Sequence, residues 1–248
     1  MSLPQVVSRE EWLVARKELL AREKAATRAR DELNAVRRRL PMVELGKEYV
    51  FTGAAGKATL LDLFEGRHQL IVQHFMFGPD WDAGCPSCTA AADEISAGLL
   101  QHLNVRDTTL AVIARAPWEK VRAYQASRDW NFAFYSSYGS DFNYDFHVTL
   151  DESVLPVEYN YRTAAEHRAA GTEGYVDGEQ PLERPGHSCF LRVGDDVFHT
   201  YSVYGRGDES LGGSYYFLDL TALGRQEDWE EPKGRADSVR AAVPDFAE

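Results

Sequence analysis

The sequence predicts an α/β fold built on a central sheet with parallel strands. Three observations carry that expectation. "HQLIVQHFMF" (His68–Phe77) and "TTLAVIAR" (Thr108–Arg115) are short, β-branched and apolar, as buried strands are. Each is followed by a helix-forming stretch, and strand–helix–strand–helix implies parallel strands joined by right-handed crossovers. A late segment, "SCFLRVGDDVFHTYSVYG" (Ser188–Gly205), reads as two strands joined by a turn near Gly194-Asp195.

Taken in order, the first element is a long helix. Ser8 and Glu11 have the form of a capping box, and no Pro or Gly interrupts from there to Arg39. Trp12, Leu19, Ala26, Leu33 and Leu40 recur every seven residues, with Ala15, Ala29 and Val36 between them and Arg22 as the exception. One apolar stripe on a charged helix covers a core face or meets a partner, and a homodimer through this helix is one expectation. Pro41 ends it. "YVF" and "ATLLDLF" read as short strands around a Gly-rich turn. After the His68–Phe77 strand comes the loop "GPDWDAG", then a helix expected from about Pro86 to Leu103. "APWEKVRAYQASRDW" is a second helix, with Pro117 near its first turn. The region of about 141–185 is polar and punctuated by Gly and Pro, an insertion of short irregular elements. Within it Phe142, Tyr144 and Phe146 alternate as on one face of a strand. "GSYYFLDLTALG" leads to a last short element, and a charged tail follows.

A chain of 248 residues with 44% hydrophobic and 27% charged residues can bury a full core and has the balance of a soluble protein. No apolar run is long enough to span a bilayer. The N-terminus lacks a basic segment followed by an apolar one, so no secretory signal is expected and the cytoplasm is the expected location. The net charge is −12, yet residues 1–40 carry ten Lys/Arg against six Asp/Glu, so the remainder stands at −12 − 4 = −16. So acidic a body repels phosphate, which argues against nucleic acid as a partner.

The chemistry points to Cys85-Pro86-Ser87-Cys88, at a strand-to-helix junction. A cysteine at a helix N-terminus meets unpaired N–H groups and the positive end of the helix dipole, which favour its thiolate. Cys85 is then the nucleophile, and Cys88, one turn on, resolves the mixed disulfide. Pro86 suits the first helical position. That reading makes the protein a dithiol–disulfide oxidoreductase acting on a disulfide-bearing protein or small thiol substrate. It needs no organic cofactor and takes electrons from a reducing thiol system. The alternative is a non-redox site for zinc or a small ligand, with Cys85 and Cys88 joined by His187 and Cys189 of "HSC". Further along, His199, Tyr201 and Arg206 could line a pocket for an anion or small polar ligand, or simply decorate a hydrogen-bonded strand face.

The stretch from Tyr49 to Trp130 resembles the thioredoxin-like fold, in its peroxiredoxin and thiol-reductase branch, where a Gly-Lys hairpin precedes the central strand as "GKATLLDLFEGRHQLIVQHF" does here. More closely, "FMFGPDWDAGCPSC", "SSYGSDFNYDF", "VFHTYSVYGRG" and "YYFLDLTALGRQEDWEEP" resemble the bacterial domain-of-unknown-function family 899, whose members are described as predicted dithiol–disulfide oxidoreductases. The residue pattern divides the chain into an N-terminal helical arm over residues 1–40, a thioredoxin-like domain over 41–224 with its insertion at about 141–185, and a charged tail over 225–248. The resemblance implies that the loop carrying Asp80, Trp81 and Asp82 borders the active site, where Trp81 would offer a platform to a partner and either carboxylate a proton path for Cys88, the alternative being that both aspartates are solvated loop residues. It also sets Gly186 or His187, next to Pro185, where thioredoxins place a cis-proline opposite the cysteines. A histidine there suits a ligand or proton-transfer role. Peroxiredoxins carry a threonine three residues before the peroxidatic cysteine; Asp82 stands there instead, which disfavours peroxidase activity.

Overall fold

A computed structural model describes residues 3–208 and the isolated positions 213, 218, 220, 221, 231 and 233. These fall into two compact units, one with residues 3–41 and the described positions from 218 on, the other with residues 42–208 and 213. The expected last element after Gly213 and the charged tail lie almost wholly outside the described residues.

In the first unit, helix α1 spans Arg9–Arg37. The capping box is formed: the Glu11 backbone N–H donates to Ser8 Oγ at 3.2 Å, and the Ser8 N–H donates to the Glu11 carboxylate at 2.9 Å. Two of the helix's unpaired N-terminal donors are thereby satisfied. No residue of α1 is buried.

The second unit is mixed α/β. Its elements in chain order are β1 (Val43–Glu44), β2 (Val50–Gly53), β3 (Gly56–Thr59), β4 (Gln69–His74), α2 (Pro86–Asp93), α3 (Ala97–Asn104), β5 (Thr108–Ala114), α4 (Trp118–Ser127), β6 (Ala133–Ser136), α5 (Phe142–Asp145), β7 (Thr149–Leu150), β8 (Glu158–Tyr159), β9 (Arg162–Thr163), α6 (Ala164–Ala169), β10 (Leu182–Glu183), β11 (Gly186–Val193) and β12 (Asp196–Tyr204). Eight strands form one sheet in the order β1-β12-β11-β4-β5-β6-β2-β3. β4, β5 and β6 run parallel, while β11 returns antiparallel beside β4. A leading hairpin, two parallel crossovers and a closing hairpin laid against the first parallel strand make this a thioredoxin-like fold.

The sheet separates two apolar cores. On one face Leu70 and Val72 of β4 and Ala111 and Ile113 of β5 meet Phe142, Phe146 and Phe190. On the other, Phe75, Val112, Ala114 and Phe134 pack with Cys88 and Ala92 of α2 and Val121 of α4. A third, small core joins Val148, Leu150, Tyr159 and Val176 of the 141–185 region to Tyr204 of β12.

Two elements differ from their sequence reading. The helix expected from Pro86 to Leu103 is two helices, because Ser96 adopts an extended conformation and its side chain caps α3, accepting from the Leu99 N–H at 3.1 Å. A serine that caps stops the preceding helix as effectively as it starts the next. Phe142, Tyr144 and Phe146 lie on and just beyond the short helix α5, not on a strand. Phe142 and Phe146 are four residues apart and so share a helical face, their ring centroids 4.7 Å apart. Core packing, the expected role of the cluster, is achieved by Phe142 and Phe146 through a different period, while Tyr144 is half-buried and outside the core.

Candidate active site

The site lies at the C-terminal edge of the parallel strands, the usual place for function in open α/β sheets. β4 continues past His74 for one more residue, the Phe75 N–H donating to the Ile113 carbonyl at 2.8 Å. The chain then makes a loop that returns to where it left, since the Cys85 N–H donates to the Met76 carbonyl at 2.8 Å. Lys120 of α4 holds the outside of the loop, its Nζ donating to the carbonyls of Pro79 at 2.7 Å and Trp81 at 3.0 Å. Gly84 is required by closeness: a Cβ there would run into the rings of Phe75 and Tyr124.

Cys85 is the N-cap of α2 and Pro86 its first residue, so the sulfur stands where a helix presents unpaired donors. The Cys85 carbonyl accepts from both the backbone N–H and the hydroxyl of Thr89, each at 2.9 Å. Thr89 is in turn bonded to the Tyr124 hydroxyl at 2.8 Å. None of the three cysteines is in a disulfide. Cys85 is half-buried and Cys88 buried.

The two thiols are driven apart. The Cys88 thiol donates to the Cys85 sulfur, joined by the backbone N–H groups of Cys88 and Ser87 and the Ser87 hydroxyl; against the opposing effect of burial, they lower the Cys85 pKa to about 6. Cys88 is raised well above an ordinary thiol by giving its proton to that bond, by burial, and by the negative charges of Cys85 and Asp208, while a bond from the Met76 N–H works the other way. One outer thiolate and one inner thiol result. Ser87 carries no sequence signal of its own, yet two of the bonds to the thiolate are its own.

The remaining candidates sort by face. Asp80 and Asp82 are exposed on the loop, and Trp81 is half-buried beneath Gly78, whose Cβ would stand 3.0 Å from the Trp81 Nε1. Gly186 opens β11, and a Cβ there would come within 2.5 Å of the Tyr204 ring. The bond preceding Pro185, the proline adjacent to that position, is not cis. His187 lies opposite Gln73 of β4 and Val203 of β12, and Cys189 opposite Ile71 and Tyr201. Direct cross-strand partners share a face, and Gln73 shares its face with Phe75 of the cysteine core. His187, Cys189 and Tyr201 therefore lie on the cysteine side of the sheet. His199 lies on the other side: its Nε2 is bonded to Ser202 Oγ at 2.8 Å and its ring meets Phe146 edge-on. Arg206 is exposed in a one-turn 3-10 helix over Gly205–Gly207. His199, Tyr201 and Arg206 thus do not line one pocket.

Among the described residues no three His, Cys, Asp or Glu side chains are arranged to hold a metal ion. Cys85, Cys88, His187 and Cys189 share a side of the sheet without forming a metal-holding group, and Cys189 is two residues further from the C-terminal edge of β4 than His187.

One residue with no part in the sequence reading reaches this side. Asp208, just after the 3-10 turn, brings its Oδ2 to 3.5 Å from the His187 Nδ1, with the two side chains only 15% and 17% exposed. Nothing in "GRGD" marks it, since its role depends on the hairpin folding back toward residue 187.

Comparison with known proteins places the chain as follows. The model of a family described as "Bacterial protein of unknown function (DUF899)" matches residues 1–241. No curated protein matches. Among solved structures, the chain is similar to the peroxidoxin BcpB from Mycobacterium tuberculosis, with 12% identity, 67% of this chain and 85% of that one covered, and a TM-score of 0.39. A putative thioredoxin from Neisseria meningitidis shares 14% identity over 73% of this chain and 87% of its own, with a TM-score of 0.32. A putative protein disulfide isomerase from Bacteroides thetaiotaomicron shares 25% identity over 41% of this chain and 64% of its own, with a TM-score of 0.30.

Proposed function

The chain belongs to the bacterial family of unknown function DUF899, and we propose that it is a dithiol–disulfide oxidoreductase with Cys85 as nucleophile and Cys88 as resolving thiol. The observation that carries this reading is the division of labour between the sulfurs. The accessible one, at a helix N-terminus, is stabilised as an anion; the buried one keeps a proton and points it at the first. Inert buried thiols have no reason for such asymmetry, since burial alone raises both.

The chemistry balances as thiol–disulfide exchange. The Cys85 thiolate attacks a substrate disulfide, forming a mixed disulfide and expelling one substrate sulfur as a thiolate. Cys88 gives up its proton and attacks the Cys85 sulfur, the second substrate sulfur leaves, and Cys85 and Cys88 end as a disulfide. Two electrons pass from the protein to the substrate, and a reducing dithiol of the cell restores the starting state. Asp82, standing where a peroxide-activating hydroxyl would be, keeps peroxide out of the proposal as the substrate.

Reduction of insulin or a small model disulfide tests it. Wild type should turn over with a dithiol donor, Cys85→Ser should fall to the rate of the donor alone, and Cys88→Ser should halt as a mixed disulfide visible by mass. Equal rates for wild type and Cys85→Ser would end the proposal.

A further inference from the structure

Resting on the oxidoreductase reading, we propose that His187 and Asp208 form the proton relay that serves Cys88 when it attacks the mixed disulfide on Cys85. The resolving step needs a base, because a thiol that is buried and held protonated attacks slowly. The obvious acids are badly placed: Asp80 and Asp82 point into solvent from the loop. His74 and His199 lie on the far face, tied through Ser188 and Ser202 into a chain of hydrogen bonds of 2.8 Å each. On the cysteine side β11 and β12 bring His187, Cys189 and Tyr201, and the turn after β12 brings Asp208. The Asp208 carboxylate is one of the charges that bear on Cys88.

The pair has the marks of a relay. The His187 Nδ1 is buried and makes no hydrogen bond, and its approach to Asp208 at 3.5 Å is longer than a bond. A buried unsatisfied ring nitrogen is uncommon enough to need a reason, and catalytic bonds that are long at rest commonly tighten in the reacting complex. Besides the pairing of β11 with β12, a hydroxyl clasps the two strand ends: Tyr159 Oη donates to the Pro185 carbonyl at 2.8 Å and accepts from the Gly205 N–H at 2.9 Å. That clasp joins the residue before β11 to the residue after β12, on either side of His187 and Asp208. As Cys88 attacks, His187 takes its proton, Asp208 steadies the imidazolium, and the proton then passes to the departing substrate thiolate.

In a Cys189→Ser background, stopped-flow reaction of the reduced protein with dithiobis-nitrobenzoate separates the steps, since attack by Cys85 and attack by Cys88 each release one coloured thiolate. The first phase reports attack by Cys85, the second attack by Cys88. In Asp208→Asn and His187→Gln the second phase should slow relative to the first by about ten-fold or more, within the range of general-base effects. Its rate should then climb about ten-fold per pH unit, because Cys88 must ionise unassisted. Asp208→Glu should recover part of the loss, and the double variant should be no slower than either single one. A second-to-first ratio unchanged in both variants, or both phases slowed alike, overturns the relay. Release of a single thiolate by the Cys189→Ser parent would instead defeat the oxidoreductase reading, and the relay with it.

Discussion

Removing the Ser87 hydroxyl should raise the Cys85 pKa without touching the fold. Of the groups that stabilise the thiolate, the Cys88 thiol comes first, followed by two backbone N–H groups and the Ser87 hydroxyl. A hydrogen bond to a charged group is worth about 1.5–3 kcal/mol, or roughly 1–2 pKa units. Cys85 is half-buried, so water replaces part of what is lost, and Ser87→Ala should raise the pKa by about 0.5–1 unit. Cys88→Ala removes the leading donor and should raise it further, by about 1–2 units. With a pKa of about 6, some nine in ten of the Cys85 sulfurs are ionised at about pH 7, against a few per cent for an ordinary thiol. The sign follows. A depressed thiol pKa stabilises the reduced form above the pKa, and the effect fades as pH falls through about 6. Ser87→Ala should therefore lower the reduction potential by about 10–20 mV near neutrality, making the dithiol the stronger reductant. The assay is thiolate absorbance against pH in a Cys189→Ser background. Cys88 does not interfere, being displaced well above. A wild-type midpoint near an ordinary thiol's, or an order in which Ser87→Ala exceeds Cys88→Ala, would refute the reasoning.

Three further outcomes follow from groups the site rests on. His74 is fully enclosed and its pKa is lowered to about 3, by burial first and then by the nearby His187 and His199. The unfolded chain therefore takes up a proton that the native state refuses, and stability should fall by about 1.4 kcal/mol per pH unit from about pH 6.5 downward. His74→Gln should flatten that slope in urea titrations at several pH values. Arg115 and Glu183 form a pair at 2.6 Å with side chains only 12% and 2% exposed. Arg115→Met strands a carboxylate and should cost about 3–5 kcal/mol, and adding Glu183→Gln should restore part of it in thermal melts. Gly186→Ala puts a Cβ 2.5 Å from the Tyr204 ring and 3.1 Å from the Val203 carbonyl, and should cost about 1–3 kcal/mol by the same measurement.

What was legible in the sequence is what depends on neighbours along the chain. The two apolar runs that became β4 and β5, the turn at Gly194-Asp195 and the capping box at Ser8 are set by residues within a few positions of one another. So is the place of Cys85 at a helix start. What stayed hidden was of two kinds. Period can be ambiguous: residues two and four apart fit a strand, but residues four apart also fit a helix, and only the packing of Phe142 and Phe146 against Phe190 decides between them. Distance is the other. Asp208 is 120 residues beyond Cys88, and no local pattern says that a turn after β12 closes over the start of β11. Of the two readings of His199 and Tyr201, a shared pocket or a hydrogen-bonded strand face, the structure favours the second for a related reason. The pairing of β11 with β12 shifts register between Cys189 and Phe190, and an irregularity of that kind changes which side chains share a face.

Met76 is where these scales meet. Its carbonyl accepts the Cys85 N–H, and its N–H reaches the Cys88 sulfur. One peptide segment at the end of β4 thus fixes both ends of the dithiol through main-chain atoms that no substitution short of proline removes. The side chains can then differ in duty. Ser87 and Cys88 decide how much charge the outer sulfur carries, while the far hairpin decides how the inner one loses its proton. The Ser87 hydroxyl bears directly on the outer sulfur and the Asp208 charge on the inner one. For that reason Ser87→Ala should act chiefly on the first phase of disulfide exchange and Asp208→Asn chiefly on the second, with their effects adding when the two are combined.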